Sequence, residues 1–116
     1  WQFTTRADLD ANLNLHNTMF AGSIYSLATL TGWGATYLAL KEAGLEGNIV
    51  LADANIKYLK PLNTDPRGCV DVKTCKGNLS ELQTKGKTSY VVPVTIFDGN
   101  DVVAEFEGVF VVVMLH

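Results

Sequence analysis

The sequence contains few of the residues on which metal, redox or nucleic-acid chemistry depends. Its 116 residues include two cysteines and two histidines, and no two of its nine Lys and Arg residues are adjacent. A zinc site needs several Cys and His ligands close together, and nucleic-acid binding usually requires a basic stripe. The formal net charge of -3 also argues against nucleic acid as a partner. We therefore expect no metal, no organic cofactor and no nucleic-acid partner.

The two cysteines, Cys69 and Cys75, lie in a segment that alternates apolar and polar residues. If this segment is one strand, both face the same side and stand roughly 20 Å apart. They could not then form a disulfide with each other. Two free cysteines are typical of a reducing compartment, so we expect a cytoplasmic protein.

No charged residue occurs from Met19 to Leu40. Within this stretch, apolar residues at helical spacing predict one long helix from Ser23 to about Ala43. A helix that is apolar on most sides is normally buried. The Ser, Thr and Gly residues that interrupt it argue against a membrane span, and we expect no membrane partner.

One strand is predicted before this helix and four after it, an order of elements that fits a single domain. The sequence Asp98-Gly99-Asn100-Asp101 predicts a hairpin, and Pro93 predicts an edge or a bulge within its strand. A curved antiparallel sheet that wraps the helix would cover its apolar sides. The predicted class is α+β, one domain over residues 1–116, with strands at 1–10, 48–60, 68–76, 89–97 and 102–115 and a turn or helical turn at 78–82.

Several stretches resemble the YiiD C-terminal domain family of thioesterase-like proteins within the hot-dog superfamily. The most specific are the sequences around Thr18-Met19-Phe20 and Gly32-Trp33-Gly34, although Ala21 replaces the first of two usual glycines. The resemblance implies the hot-dog fold, with one long central helix wrapped by a curved antiparallel sheet. It also implies hydrolysis of acyl-CoA or related thioesters by a homodimer or tetramer, with sheets paired edge to edge. The matching residues are 12–14, 18–28, 32–34, 49–53, 56–61 and 103–108.

Many hot-dog thioesterases carry an Asn-x-x-Gly-x-x-His-Gly-Gly loop before the central helix. The resemblance aligns Asn14 with the Asn, Phe20 with the His and Gly22 with the final Gly. A carboxylate commonly follows two turns into the helix, and Thr29 occupies that position here. The departures at Phe20 and Thr29 remove the usual base or nucleophile, which affects the mechanism more than the fold.

Backbone amides at the amino end of the helix are candidates for polarising a thioester carbonyl. Helix N-termini carry unpaired N–H groups and partial positive charge, which suits an oxyanion. Ala21, Gly22 and Ser23 occupy this position. Alternatively, Gly22 only permits a tight turn and Ser23 only caps the helix.

Asp53 is the candidate water activator because it interrupts an otherwise apolar strand. Burial would raise the pKa of such a carboxyl toward that of a useful base. Asn55 would share its face, and Asn14 could orient the carbonyl or the water. The alternatives are that Asp53 faces solvent and that Asn14 bonds to its own backbone.

Other residues are weaker candidates for substrate binding. Phe20 and Tyr25 could line the site, whereas packing in the core or at its rim is the simpler role for Tyr25. His16 is more simply an exposed loop residue than a base. Trp33 is expected to pack under the sheet, or otherwise to line an acyl tunnel. Lys57, Lys60 and Arg67 could meet the phosphates of CoA or simply form a solvated strand edge.

The sequence therefore favours a thioesterase acting on acyl-CoA or a related thioester, without metal or cofactor. Three alternatives stay open. A hot-dog hydratase or dehydratase would need a histidine facing a carboxylate, and only His16 is available. A non-catalytic acyl-CoA-binding or regulatory module is favoured by the absence of the usual carboxylate from the helix. The domain could also serve an adjoining enzyme, since the family occurs fused behind an acetyltransferase-like domain.

Overall fold

A five-stranded antiparallel sheet packs around one long helix in the computed structural model, which describes residues 2–7 and 21–114. The strand order is β1-β3-β4-β5-β2, so β1 and β2 form the two edges. The predicted hot-dog architecture is confirmed. The elements are β1 (Gln2–Arg6), α1 (Ala21–Glu42), β2 (Gly47–Tyr58), β3 (Arg67–Asp71), α2 (Glu81–Lys85), β4 (Lys87–Asp98) and β5 (Asp101–Met114).

The polar residues within α1 are buried without leaving unpaired hydroxyl groups. Thr31 and Thr36 are fully buried, and their hydroxyls donate to the carbonyls of Leu27 and Gly32 at 2.6 and 2.8 Å. Bonding back to the preceding turn satisfies a hydroxyl that would otherwise be costly to bury. The helix can therefore be predominantly apolar while containing several Thr residues. None of the described helices is long and apolar enough to cross a membrane.

Gly32 and Gly34 let two aromatic rings approach the helix backbone. A Cβ at Gly32 would meet the ring of Phe110, and one at Gly34 would meet the ring of Phe3. These contacts direct Trp33, which lies between the two glycines, away from the sheet. Trp33 is 43% exposed and stacks on Tyr37. The expectation that Trp33 packs under the sheet is therefore wrong.

Strand β3 ends earlier than predicted, at Asp71, because the chain then forms a 3-10 turn over Val72–Thr74. Cys69 and Cys75 are free, but they do not share one continuous strand, so the predicted geometry between them is wrong. The turn interrupts pairing between Cys69↔Thr95 and Lys76↔Val91. Pro93 lies opposite this gap, where its missing N–H costs no ladder bond on that side. Strand β4 is therefore not an edge strand of the sheet, but at Pro93 it has no paired neighbour on the β3 side.

The hairpin between β4 and β5 forms where the sequence predicted it. Asp98 and Asp101 pair across the turn, and Gly99 adopts a φ of 59°. Asp98 also ties the hairpin to the preceding loop, since its carboxylate accepts from the backbone N–H of Asn63 and the hydroxyl of Thr64. These bonds hold the pKa of Asp98 below its usual value.

Candidate functional site

An open groove of about 330 Å³ lies at the amino end of α1. Gly22, Ser23 and Ser26 contribute its polar wall on the helix, and Arg6 stands at the end of β1. Ala7, Leu27 and Leu30 complete the lining. The groove thus combines backbone amides, hydroxyls and a guanidinium with an apolar floor.

Gly22 is open to approach from this groove. It is exposed, and a Cβ built on it would meet no heavy atom within 4 Å among the described residues. Its φ is not in the left-handed region. Neither close packing against the described residues nor backbone strain therefore explains a glycine here. The first turn of α1 also contains no acidic residue, so the positive end of the helix dipole is not neutralised from within the helix.

The helix residues one and two turns further on are engaged in packing. Thr29, at the position where a carboxylate is common, donates its hydroxyl to the carbonyl of Tyr25 at 2.9 Å. The Tyr25 ring packs edge-on against Phe106, with centroids 5.7 Å apart. Burial and the neighbouring Tyr25 raise the pKa of Tyr58. Tyr25 therefore packs between the helix and the sheet, and its predicted role in substrate binding stays a prediction.

Asp53 and Asn55 lie on the sheet face that points away from α1. They are exposed opposite Val109 and Glu107, whereas Ala54 and Ile56 pack toward the helix. A bulge between Leu51 and Asp53 shifts the register of β2, and the Asp53 carboxylate accepts from the N–H of Ala54 at 2.9 Å. Within one chain, neither residue joins Gly22 and Ser23 at the groove.

The predicted cation cluster is divided among different contacts. Lys60 lies 4.0 Å from Asp101, with both side chains largely exposed, and Lys57 faces Glu105 across the strands. Arg67 donates to the carbonyl of Gly99 at 2.9 Å and lies over the Phe97 ring. Exposed pairs of the Lys60 type contribute little stability. None of the three lines the groove, although Arg67 lies opposite Arg6, which does.

Arg6 is the groove residue that the sequence did not indicate. It stands directly opposite Arg67 in the β1–β3 register and lines the same groove as Gly22. Two like charges opposite each other are unfavourable unless an anion or solvent separates them. The sequence gives no signal for this pair, because its members are far apart in the chain. Asn14, His16 and Phe20 lie outside the described residues, and the side chain of Ala21 is not described.

Among the described residues, no group of three or more His, Cys, Asp or Glu side chains could hold a metal ion. The described residues at the groove supply backbone amides, hydroxyls and a guanidinium group. These groups polarise a carbonyl and bind anions, but none of them is a strong base at neutral pH.

A long helix inside an antiparallel sheet, with its amino end open at a groove, defines the hot-dog class of thioesterase-like proteins. The family model described as "Putative thioesterase (yiiD_Cterm)" matches residues 1–114. The chain belongs to this family, as the resemblance predicted.

Solved structures agree with this assignment. A putative thioesterase from Shewanella oneidensis is 41% identical, with a TM-score of 0.88 over 97% of this chain and 77% of that one. A thioesterase from Pseudomonas aeruginosa, solved as a mutant, is 17% identical, with a TM-score of 0.76 over 98% and 76%. A Bacillus halodurans protein crystallised with CoA is 22% identical, with a TM-score of 0.69 over 94% and 66%. The last two show the fold alone.

Proposed function

We propose that the protein hydrolyses acyl-CoA or a related acyl thioester at the groove beside the amino end of α1. The observation that carries the proposal is an open groove lined by Gly22 and Ser23 at the amino end of α1, with open space at Gly22, in a chain of this family. The thioester carbonyl oxygen would accept from these amides as it becomes negative. Water would add to the carbonyl carbon, the C–S bond would break, and the thiolate would take up a proton to leave as CoA.

The water activator in this proposal is Asp53, assisted by Asn14. Asp53 lies on the outer face of its own chain, and edge pairing keeps that face on the same side in both chains. Its carboxylate would therefore reach the groove of a second protomer around the β2 edge, turned by the bulge. Two features support a role for Asp53 at the groove of a second protomer: β2 is an edge strand, and its bulge occurs at Asp53. Bulges redirect side chains and occur often beside active sites. We propose that two chains pair edge to edge along β2, as a homodimer or as half of a tetramer.

CoA would be held by its phosphates near Arg6 and Arg67, because arginine forks suit phosphate oxygens. The Bacillus halodurans protein with CoA supports this ligand class. We expect Arg6→Gln to raise the Kd for CoA more than tenfold, with a smaller rise at high salt, where the charge interaction is already screened. The matched control is Lys73→Gln, which removes an exposed cation outside the groove. Equal affinity in the two variants would reject the arginine site.

The test of the amide role uses two substitutions at one residue. Ser23→Pro deletes the N–H of residue 23, and proline is tolerated in the first turn of a helix. Ser23→Ala keeps the N–H and removes only the hydroxyl. With free-thiol release from a panel of acyl-CoAs, we expect Ser23→Pro to lose roughly 10²–10³-fold in kcat. Ser23→Ala should stay near wild type, and equal rates in both variants would reject the amide role.

Asp53 is tested by Asp53→Ala and by mixing chains. We expect Asp53→Ala to lose turnover while still binding CoA, with Asp65→Ala, also at an exposed position, as a control. If the site is shared between protomers, co-expressing Asp53→Ala with Ser23→Pro should restore part of the turnover. No restoration would assign both groups to one chain or exclude Asp53.

A non-catalytic acyl-CoA-binding module is the second candidate. Two observations favour it. Among the described residues no carboxylate lines the groove, and the Thr29 hydroxyl donates to the helix backbone. Tight CoA binding without any thiol release from the acyl-CoA panel would select this function over hydrolysis.

A further inference from the structure

The exposed part of α1 is a single line of residues. Between residues 22 and 37 every other helix position is buried or half-buried, and the exposed positions are Gly22, Ser26, Leu30, Trp33 and Tyr37. Their spacing of three or four residues places them one above the other on one side of the helix. The line is about 22 Å long at ~1.5 Å per residue, but only one side chain wide. We call this line of five residues the helix slot.

The two edges of the sheet lie on either side of the helix slot. Strands β1 and β2 are these edges, and both contact α1. On one side, the Phe3 ring of β1 lies against Gly34, where a Cβ would be too close to fit. On the other side, the Tyr25 ring packs edge-on against Phe106. The sheet therefore wraps α1 and leaves a narrow opening along the slot.

The polarity of the helix slot changes along its length. Gly22, Ser26 and Leu30 line the groove at the amino end of α1. From Leu30 onward the slot is apolar or aromatic, with Leu30 65%, Trp33 43% and Tyr37 41% exposed. Contiguous exposed apolar side chains mark binding surfaces more often than isolated ones do. An acyl thioester has the same order of polarity, because a polar thioester is followed by an apolar tail.

The width of the helix slot determines which kind of occupant fits. A second helix is about 10–12 Å across and packs its ridges into grooves between several rows of side chains. A single row between two strand edges suits an extended alkyl chain instead. The rings of Trp33 and Tyr37 stack with centroids 5.4 Å apart and planes 8° from parallel, so they form one aromatic surface. Apolar and aromatic side chains are the usual lining of small-molecule sites.

The rise of α1 converts the helix slot into a scale of chain length. Measured along the axis from Ser23, its three apolar residues lie at about 10, 15 and 21 Å for a rise of ~1.5 Å per residue. An extended alkyl chain advances about 1.3 Å per carbon, given C–C bonds of ~1.5 Å. A chain whose carbonyl lies at Ser23 therefore reaches these residues after about 8, 12 and 16 carbons. Beyond them, the Lys41 ammonium lies 5.5 Å from the Tyr37 ring centroid, so the apolar slot ends at a charge.

We propose that the helix slot binds the acyl chain of the substrate and selects chains of about 12 to 16 carbons. This inference rests on the proposed function for the position of the thioester at the amino end of α1. Leu30, Trp33 and Tyr37 contact successive parts of the tail, and Lys41 limits its length. Shorter chains leave Trp33 and Tyr37 in water, so they gain less free energy from burial.

The first experiment measures binding without turnover. S-alkyl-CoA thioethers with tails of four, twelve and sixteen carbons are not hydrolysed, so they report on the helix slot alone. In the full chain with Trp1→Phe, iodide should quench Trp33 fluorescence without ligand and with saturating S-butyl-CoA. S-dodecyl-CoA and S-hexadecyl-CoA, below their micelle concentrations, should shift the emission to the blue and protect Trp33 from iodide. Equal quenching with the short and the long ligands overturns the proposal.

Two matched leucine variants test the chain-length preference. Leu30→Ser and Leu38→Ser make the same change on the same helix, but Leu38, 38% exposed, lies outside the helix slot. We expect Leu30→Ser to lower the ratio of kcat/KM for dodecanoyl-CoA to that for butyryl-CoA about tenfold or more, the discrimination of one or two methylene contacts. Trp33→Ser should lower the ratio of hexadecanoyl-CoA to octanoyl-CoA similarly. Leu38→Ser should keep the wild-type ratios, and equal ratios in the two leucine variants reject the slot.

Light scattering on the same variants tests a different occupant, a second copy of this chain. A lower mass in folded Trp33→Ser, with the wild-type chain-length ratios, assigns the helix slot to a protein interface and overturns the proposal. The slot and the hydrolysis fail separately. Length-dependent protection of Trp33 without thiol release from any acyl-CoA rejects hydrolysis and supports the slot. Thiol release that does not depend on chain length rejects the slot and supports hydrolysis.

Discussion

The ring of Phe110 lies directly against the backbone of Gly32, so closely that a Cβ at Gly32 would stand 2.7 Å from two ring carbons. Phe110 is fully buried in the middle of the core, so its ring has no room to move aside. This contact joins the centre of α1 to the centre of the sheet and fixes how the helix is rotated.

Gly32→Ala should destabilise the fold, because the added methyl group overpacks a full core. We expect a loss of about 1–3 kcal/mol in the free energy of unfolding, measured by chemical denaturation. Gly22→Ala is the matched control, since that position has open space and alanine favours a helix. Equal stabilities of the two variants would contradict the close contact.

Tyr90 should make the protein less stable at alkaline pH. Burial, with the adjacent Cys75, raises the pKa of Tyr90 to about 12. An unfolded tyrosine ionises near pH 10, so between these values the folded state holds a proton that the unfolded state has lost. Stability from this group is complete below about pH 10 and decreases as pH rises toward 12.

The measurement for Tyr90 is the denaturation midpoint between pH 8 and about pH 11, the limit before backbone chemistry interferes. Tyr90→Phe should flatten the dependence. Burial also raises the pKa of the Cys75 thiol, so Cys75→Ala should remove a further part of the slope. Parallel curves for wild type and Tyr90→Phe would argue against a buried neutral phenol.

Asp98 should have the opposite pH dependence. Its pKa is lowered by the Thr64 hydroxyl first and the Asn63 amide next. A lowered carboxyl pKa stabilises the fold above the unfolded value near 3.9, and this contribution disappears as pH falls through the folded pKa. Wild type should therefore lose more stability between pH 5 and pH 2.5 than Asp98→Asn does.

Trp33 should behave as a partly solvated residue. It is 43% exposed beside Tyr37, with Lys41 over the Tyr37 ring. In a Trp1→Phe background, its fluorescence should be red-shifted and quenched by iodide. Trp33→Ser should cost less than Phe110→Ala does, because a large part of the indole stays in contact with water. Phe110→Ala should cost about 3–5 kcal/mol. A blue-shifted, unquenched emission would show that another element covers the helix.

The local features of the fold followed from local sequence. The uncharged stretch before Lys41 predicted α1, and Asp98-Gly99-Asn100-Asp101 predicted the β4–β5 hairpin, because propensity and turn chemistry act within a few residues. The end of β3 was missed, since the turn at Val72–Thr74 lies in a sequence that alternates like a strand. Residues 12–14 and 18–28 and the Gly-Trp-Gly motif also sufficed to indicate the family.

The sequence by itself determined the long helix, the hairpin, the order of the elements and the family, because each depends on neighbours along the chain. Only the tertiary structure decided which side of α1 meets the sheet, leaving Trp33 outside and Gly22 beside Arg6. It also decided that Asp53 faces away from the helix. Periodicity determines which residues share a face of an element. Which partner that face meets depends on strand pairing between segments far apart in the chain, which no local pattern encodes.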